Sequence, residues 1–251
     1  MTETRNTPGS IENIALAALS SLQTCRSTYA VCRQALEEGI PGDFVECGVY
    51  AGSQAAVMAK ALAWEEQKFI NSVAAIGSYA TMPLDRHVHL FDSFQGIPEP
   101  TERDKEYIAS GHRKGTAACT LEGVKSNMKQ WGIPDELLYY YPGWFTDTVP
   151  SFAIVANAIR ESNIPDDSNR TAIEYNPIRL TPLRLGMIAV LRLDADLYES
   201  TLTCLEYLYP LLSPGGFLIV DDYGLSGARQ AVNDYMLEKG GGFPPMYFRK
   251  P

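Results

Sequence analysis

Apolar residues recur every three or four positions near the start of the chain, which predicts an amphipathic helical region from Ser10 to Glu38. Ser10 is a suitable N-cap, and Gly39 is a suitable C-terminal stop. The pattern fits one long helix or two helices broken near 24–28, and its apolar stripe packs on either the core or another subunit. Residues 1–40 are therefore predicted to form an N-terminal helical extension or lid.

After residue 42 the pattern changes to short apolar runs bounded by turn residues. The runs predict strands at Asp43–Cys47, His87–Phe91, Leu138–Tyr141, Ile188–Leu193, Phe217–Val220 and Met246–Arg249. Periodic segments between them predict helices at Ser53–Ala63, Leu121–Trp131, Thr146–Arg160, Ser200–Leu212 and Ala228–Glu238. This alternation implies right-handed crossovers, so residues 41–251 are predicted to form one α/β domain with a doubly wound, mostly parallel sheet.

Two stretches interrupt this rhythm. Glu65–Arg86 links the first of these helices to the second strand, and Glu161–Leu185 is rich in Pro, Asn, Asp and Arg without a clear period. A loop of that length inside a compact domain is unusual. The second stretch is therefore a lid, an oligomer contact or a disordered insertion.

Charge and composition narrow the class of protein. The net charge of -9 and the lack of Lys/Arg clusters argue against a nucleic-acid partner. Neither a membrane span nor a signal peptide is evident, which predicts a cytoplasmic protein. The five cysteines form no Cys-x-x-Cys pair and are expected to be reduced, structural thiols.

Four carboxylates stand out because they follow two apolar strands. Asp194 and Asp196 follow one strand, and Asp221 and Asp222 follow the next. Buried neighbouring carboxylates repel each other, so a hard divalent cation or a proton is expected to neutralise part of their negative charge. In regular strand, Asp194 and Asp196 would face the same side about 7 Å apart.

A purely structural role for these acids is the alternative. The Asp221–Asp222 pair could cap a loop or the helix that follows. Asp194 and Asp196 could instead pair with Arg179, Arg184 or Arg192.

The first strand runs through Gly48 and Gly52 into a helix, which suits a close approach of the backbone to a ligand. The spacing is not Gly-x-Gly-x-x-Gly, so the dinucleotide fingerprint is absent, and a simple βα turn is the alternative. The second strand ends in Asp92, where doubly wound folds hold a ribose. Asp92 could otherwise cap the next helix.

Five ordered motifs resemble the macrocin O-methyltransferase family, which methylates macrolide and aminocoumarin sugars. The resemblance covers most of the chain, from Ile11 to Tyr235, and its motifs are Gly42–Val49 with Gly52, Phe91–Pro98, Pro142–Thr148, Leu193–Thr201 and Val220–Tyr223. The resemblance implies a Rossmann-like class I methyltransferase that uses S-adenosylmethionine and Mg²⁺ to methylate a hydroxyl.

The resemblance also implies a role for each matching residue. At the cofactor, Glu46, Gly48, Gly52 and Ser53 would contact the methionine end, Asp92 and Ser93 the ribose, and Gly143 and Trp144 the adenine. Around the acceptor, Asp194, Asp221 and Asp222 would bind the metal, and Asp196 would be the general base.

The histidines carry weaker signals. His112 lies in a polar stretch expected at the mouth of the site, where it could be an auxiliary base, a substrate contact or a solvated surface residue. His87 and His89 alternate within a strand and are expected to pack.

The acceptor is expected to be a small hydroxylated molecule: a deoxysugar on a natural product, a polyketide or peptide hydroxyl, or a catechol-like phenol. The protein is expected to be a homo-oligomer. The 161–185 segment looks longer than the family pattern requires, and the end after Tyr235 looks shorter. The alternatives are an NAD-linked or nucleotide-sugar oxidoreductase and a non-catalytic cofactor-binding protein.

Overall fold

A six-stranded sheet forms the centre of this computed structural model, which describes residues 9–16, 20–76, 86–161, 186–239 and 247–250. Of residues 65–76 and 247–248 it describes only the backbone. The strands are β1 (Asp43–Cys47), β2 (Val88–Asp92), β3 (Leu138–Pro142), β4 (Ile188–Leu193), β5 (Leu212–Val220) and β6 (Tyr247–Arg249). Their order is β3-β2-β1-β4-β5-β6, and only β6 pairs antiparallel. The predicted doubly wound, mostly parallel sheet is therefore confirmed.

Helices connect the strands as the alternating pattern predicts. They are α1 (Ile11–Leu16), α2 (Leu22–Glu37), α3 (Ser53–Ile76), α4 (Lys105–Ala109), α5 (Leu121–Gln130), α6 (Phe145–Glu161), α7 (Tyr198–Leu208) and α8 (Ser226–Glu238). Within the described part of the chain, no helix is both long and apolar enough to cross a membrane. The predicted insertion at 161–185 lies almost entirely outside the described residues.

The N-terminal pattern forms two helices, and the break precedes the predicted position near 24–28. Ser21 is the N-cap of α2, and its hydroxyl accepts a hydrogen bond from the backbone N–H of Thr24. Ser10 accepts from the N–H of Asn13 at 3.2 Å, as expected of an N-cap. Gly39 has a φ of +66° directly after the C-cap, which confirms the predicted stop.

Two elements extend beyond their predicted limits. Helix α3 continues to Ile76, twelve or more residues past the predicted end, because the sequence offers no Gly or Pro to stop it before Gly77. Strand β5 begins at Leu212 and contains two glycines, with an irregular register against β4. The sequence pattern missed this start because Pro214 and the glycines resemble a turn.

The sheet separates two apolar layers. Phe44 points into the layer that α2, α3 and α5 cover, whereas Val45 points into the layer under α6, α7 and α8. Cys25 and Cys32 of α2 are fully buried in the first layer, so the stripe of this helix packs on the core of its own chain. All five cysteines are free thiols, as expected.

The order of the strands reverses between β1 and β4, which lie side by side although the chain leaves β1 toward β2. At such a reversal the connecting helices leave to opposite faces, and a crevice opens beyond the carboxyl ends of the two strands. The fold therefore places the residues that follow β1 and β4 around a common opening.

Candidate active site

A cavity of about 690 Å³ opens at the carboxyl ends of the central strands. Its walls come from the turns after β1, β2 and β4, from the N-terminus of α6, and from Ser20, Ser21 and Thr24 at the start of α2. Ten of the predicted site residues line it: Glu46, Gly48, Ser53, Asp92, Ser93, His112, Trp144, Asp194, Asp196 and Asp221.

Gly48 allows the ends of β1 and β4 to touch. It adopts a φ of +88°, and a Cβ atom there would lie 1.7 Å from the carbonyl oxygen of Asp194. A backbone hydrogen bond from Asp194 N–H to the carbonyl of Cys47 holds this contact, while Gly48 N–H donates to the carbonyl of Phe91 on the other neighbouring strand, β2. Gly52 instead faces Val124 and Met128, so its role is close packing of α5 rather than lining the cavity.

Asp92 organises the turn after β1. Its Oδ2 accepts hydrogen bonds from the N–H groups of Val49 at 2.7 Å and Tyr50 at 3.1 Å, and its Oδ1 accepts from Phe94 at 2.6 Å. Burial raises the pKa of this carboxyl, and the three N–H donors oppose that rise. Asp92 thus caps two turns rather than the next helix, and it borders the cavity as predicted.

Ser93 and the start of α6 complete this wall. The Ser93 hydroxyl donates to the carbonyl of Gly96 and accepts from the N–H of Gln95, which closes the loop after β2. Gly143 donates its N–H to the carbonyl of Asp92 at 2.9 Å, with a φ of +146°. Gly143 therefore supports the wall from behind, whereas the ring of Trp144 lines the cavity.

The predicted metal ligands come together at the ends of β4 and β5. Asp194, Asp221 and Asp222 each offer an oxygen within 4.8 Å of the others. Burial, with Asp194 and Asp196 close by, raises the pKa of Asp222 to about 9, and burial raises that of Asp221.

Asp196 lies beside this cluster but not in regular strand. Strand β4 ends at Leu193, and Asp196 has a φ of +62°, so the predicted same-side arrangement along a strand is wrong. Its N–H donates to Oδ2 of Asp222 at 3.1 Å, a bond that the bent backbone allows. Burial, reinforced by the charge of Asp194, raises the pKa of Asp196 to about 7.

Arg192 is the buried counter-charge of the acids. Its Nη1 donates to Glu46 and to Asp194, each at 2.9 Å, and its Nη2 lies 3.0 Å from Oδ1 of Asp221. The expected alternative of an Arg192–Asp194 pair is thus realised, while Arg179 and Arg184 lie outside the described residues. Burial nevertheless raises the pKa of Glu46 to about 8.

Tyr107 of α4 is a site residue that the sequence analysis missed. Its hydroxyl donates to Oδ1 of Asp196, and burial beside that carboxylate raises the pKa of the phenol. The ring of His112 lies 4.7 Å from that of Tyr107, and its Nδ1 is 2.7 Å from the hydroxyl of Ser110. His112 thus lies beside Tyr107 in the wall of the cavity.

Hydrogen bonds hold the segment that carries Tyr107 at both ends and in the middle. Ile97 N–H donates to Thr116, and Gly115 N–H donates back to Ile97. In the middle, buried Asp104 accepts the N–H of Tyr198 at 2.8 Å, at the start of α7. We call residues 97–116 the cover segment. Asp104 is also a residue that the sequence analysis did not select.

His87 and His89 belong to the packing of the sheet, as expected. His89 is fully buried, with Nε2 3.1 Å from Asp43 and Nδ1 2.9 Å from the hydroxyl of Tyr141. His87 packs edge-on against Tyr139. Both lie away from the cavity wall.

Known proteins of one family resemble this chain over most of its length. The macrocin O-methyltransferase (TylF) family model matches residues 18–162 and 155–242. The 8-demethyl-8-(2,3-dimethoxy-alpha-L-rhamnosyl)-tetracenomycin-C 4'-O-methyltransferase of Streptomyces olivaceus is 34% identical over 88% of this chain and 66% of its own length. The mycinamicin III 3''-O-methyltransferase of Micromonospora griseorubida is 31% identical over 88% of this chain and 68% of its own length.

A solved structure gives the same result for the fold. The O-methyltransferase NovP superimposes with a TM-score of 0.66 at 26% identity, covering 93% of this chain and 81% of NovP. The chain spans about two thirds of the length of the two relatives above. Since the family model accounts for most of its residues, the chain belongs to the macrocin O-methyltransferase family, a family of natural-product O-methyltransferases.

Proposed function

We propose that the protein is an S-adenosylmethionine- and Mg²⁺-dependent O-methyltransferase that acts on a hydroxyl of a small natural product. The observation that carries the proposal is the convergence of Asp194, Asp196, Asp221 and Asp222 beside a cavity that continues to the turn after β1. One end of the cavity thus has the chemistry to bind a cofactor, and the other has the chemistry to activate a hydroxyl.

The cofactor end is proposed to lie against the turns after β1 and β2. Glu46 has a buried Oε2 atom without a hydrogen-bond partner, although its Oε1 accepts from Arg192. An unsatisfied buried acceptor beside a cavity suits the ammonium group of a methionine moiety. Asp92 and Ser93 would contact the ribose and Trp144 the adenine, while Gly48, Gly52 and Gly143 shape the backbone around them. When bound, the cofactor supplies an electrophilic methyl group on a sulfonium.

The acid cluster fits a divalent cation by its charge. Glu46, Asp194, Asp196, Asp221 and Asp222 are five carboxyl groups, and within the described residues the only cation found in ion pairs with them is Arg192. Oxygen ligands of this kind suit Mg²⁺, whose charge would offset the burial and the nearby acids that together keep the pKa of Asp222 high. Asp194, Asp221 and Asp222 would hold the ion, which when bound lowers the pKa of a coordinated hydroxyl.

Asp196 is proposed to be the general base. A base acts most effectively when its pKa lies near the working pH, and burial raises the pKa of Asp196 to about 7. Tyr107 donates to Oδ1 of Asp196 and so fixes the direction of the carboxylate. Asp196 would take the proton of the acceptor hydroxyl as the oxygen of that hydroxyl gains the methyl group that the cofactor would supply.

The acceptor is proposed to enter beneath the cover segment. This part of the cavity is bordered by Thr101, Tyr107, His112, Glu199 and Thr203, which carry hydrogen-bonding groups, and by the apolar residues Ile97, Pro98 and Leu197. Such a mixed lining suits an acceptor that presents both hydroxyls and apolar surface, such as a sugar on a natural product. His112 would contact this acceptor. Because Ser20, Ser21 and Thr24 also border the cavity, the 1–40 extension would act as a lid.

Two experiments test the proposal. Calorimetry should detect binding of S-adenosylhomocysteine and no binding of NAD, and the reverse result would favour an oxidoreductase. A mass-spectrometric screen of hydroxylated glycosides should reveal products heavier by one methyl group, formed with Mg²⁺ and lost in excess EDTA. Full activity in EDTA would refute the metal role without affecting the methyltransferase assignment.

A further inference from the structure

Arg192 connects the two ends of the cavity through a single buried side chain. In the sheet it pairs with Glu46 of β1 on one side and with Ile219 of β5 on the other. A side chain on this central strand can therefore reach acids that follow or belong to both neighbouring strands. Its guanidinium is fully buried and contacts Glu46, Asp194 and Asp221.

The three contacts differ in their surroundings. The side chain of Glu46 is 1% exposed, whereas those of Asp194 and Asp221 are 30% and 32% exposed. An arginine that served only to neutralise a buried acid would need to contact Glu46 alone. Arg192 instead extends from the core to the rim of the cavity, where it holds two carboxylates that could otherwise rotate.

The geometry of the guanidinium suits this arrangement. It carries five N–H donors in one rigid plane, so one group can fix several acceptors in set directions. Nη1 donates a hydrogen bond to Oδ2 of Asp194, whereas Nη2 forms an ion pair with Oδ1 of Asp221 at 3.0 Å that lacks hydrogen-bond geometry. A carboxylate has two oxygens, so each of these acids can bind the guanidinium and still offer an oxygen to a cation.

We propose that Arg192 is the positioning residue of the metal site, which orients Asp194 and Asp221 as ligands and anchors both to Glu46. The inference rests on the proposed function, because it concerns the same cation. Residues that orient metal ligands from behind typically contribute 10- to 100-fold to metal affinity. The cation therefore loses affinity when this guanidinium is replaced, although Arg192 itself is not a ligand.

The first variant to test is Arg192→Lys, which keeps the charge but cannot direct three acids at once. Isothermal titration with Mn²⁺ alone as the probe should give a Kd about 10- to 100-fold higher than that of the wild type. Binding of S-adenosylhomocysteine should persist, which shows that the sheet is intact. Arg86→Lys is the matched control, since Arg86 is also buried but donates to the carbonyl of Gly42, at the opposite end of the strands.

A second pair of variants covers the case in which Arg192→Lys does not fold. Arg192→Met combined with Glu46→Gln removes both members of the buried ion pair, and Glu46→Gln alone is its reference. The double variant should bind Mn²⁺ at least 10-fold more weakly than the reference.

The outcomes separate the inference from the proposed function. Wild-type protein that binds no Mn²⁺ would refute the metal role, and with it the basis of the inference. Wild-type binding with an unchanged Kd in Arg192→Lys would overturn the inference alone. Loss of the fold in both Arg192 variants, with Glu46→Gln folded, would also overturn it, because Arg192 would then be a residue of the core.

Discussion

Replacing Gly48 by Ala tests whether the contact between β1 and β4 builds the site. The new Cβ would lie 1.7 Å from the carbonyl oxygen of Asp194, so the two main chains must separate by roughly 1.5 Å or more to restore van der Waals contact. The positive φ costs about 1 kcal/mol for Ala, and overpacking a rigid site adds about 1–3 kcal/mol. We therefore expect a loss of stability of about 2–4 kcal/mol.

The control is Gly39→Ala. Gly39 also has a positive φ, but a Cβ there would meet nothing within 4 Å, so only the backbone cost of about 1 kcal/mol applies. For a chain of this size, thermal unfolding should fall by about 2–4 °C in Gly39→Ala and by roughly 5–15 °C in Gly48→Ala. Only the second variant should also lose binding of S-adenosylhomocysteine. Equal shifts, with binding retained in both, would refute the reasoning.

Three further predictions concern Asp196 and use the acceptor found by the methylation screen. Asp196→Asn should lower kcat by about 10²-fold or more, while Mn²⁺ should still bind. The control is Asp135→Asn, a substitution at an exposed residue, which should leave kcat unchanged. In the wild type, kcat should rise with pH through about 7, because only the ionised carboxylate of Asp196 accepts a proton. A kcat that stays constant from about pH 5 to 8 would contradict this prediction. Tyr107→Phe removes the hydrogen bond to Asp196 but keeps the ring, and it should lower kcat about 10-fold with little change in KM for S-adenosylmethionine. An unchanged kcat in Tyr107→Phe would remove this tyrosine from the mechanism.

Much of the architecture could be predicted because its signals are local. The apolar runs of β1 and β4 are short and bounded by turn residues, so their positions follow from a few neighbouring letters. The acids after β4 and β5 could be placed together because parallel strands bring their carboxyl ends to one edge. The conformation of Asp196 could not be predicted, since Asp is compatible with both extended and left-handed backbone.

The rest of the site depends on contacts between distant parts of the chain. Tyr107 meets Asp196 across 89 positions, and Arg192 meets Glu46 across 146. Tyr107 lies in a polar segment without a period, so nothing nearby in the sequence distinguishes it from an ordinary surface tyrosine. Arg192 could be suggested as a partner of Asp194 from proximity, but its link to Glu46 required the pairing of β1 with β4.

The way in which the cover segment is fastened matters for engineering. Ile97 is hydrogen-bonded to both Gly115 and Thr116, so the two ends of the cover segment meet. The length of the segment is therefore independent of the register of the strands. Loops closed at their base tolerate substitution and insertion better than the elements that bear them. A library confined to residues 98–114, with Asp104 retained as the anchor on α7 and Tyr107 retained as the partner of Asp196, could therefore diversify the accepted substrates without rebuilding the sheet.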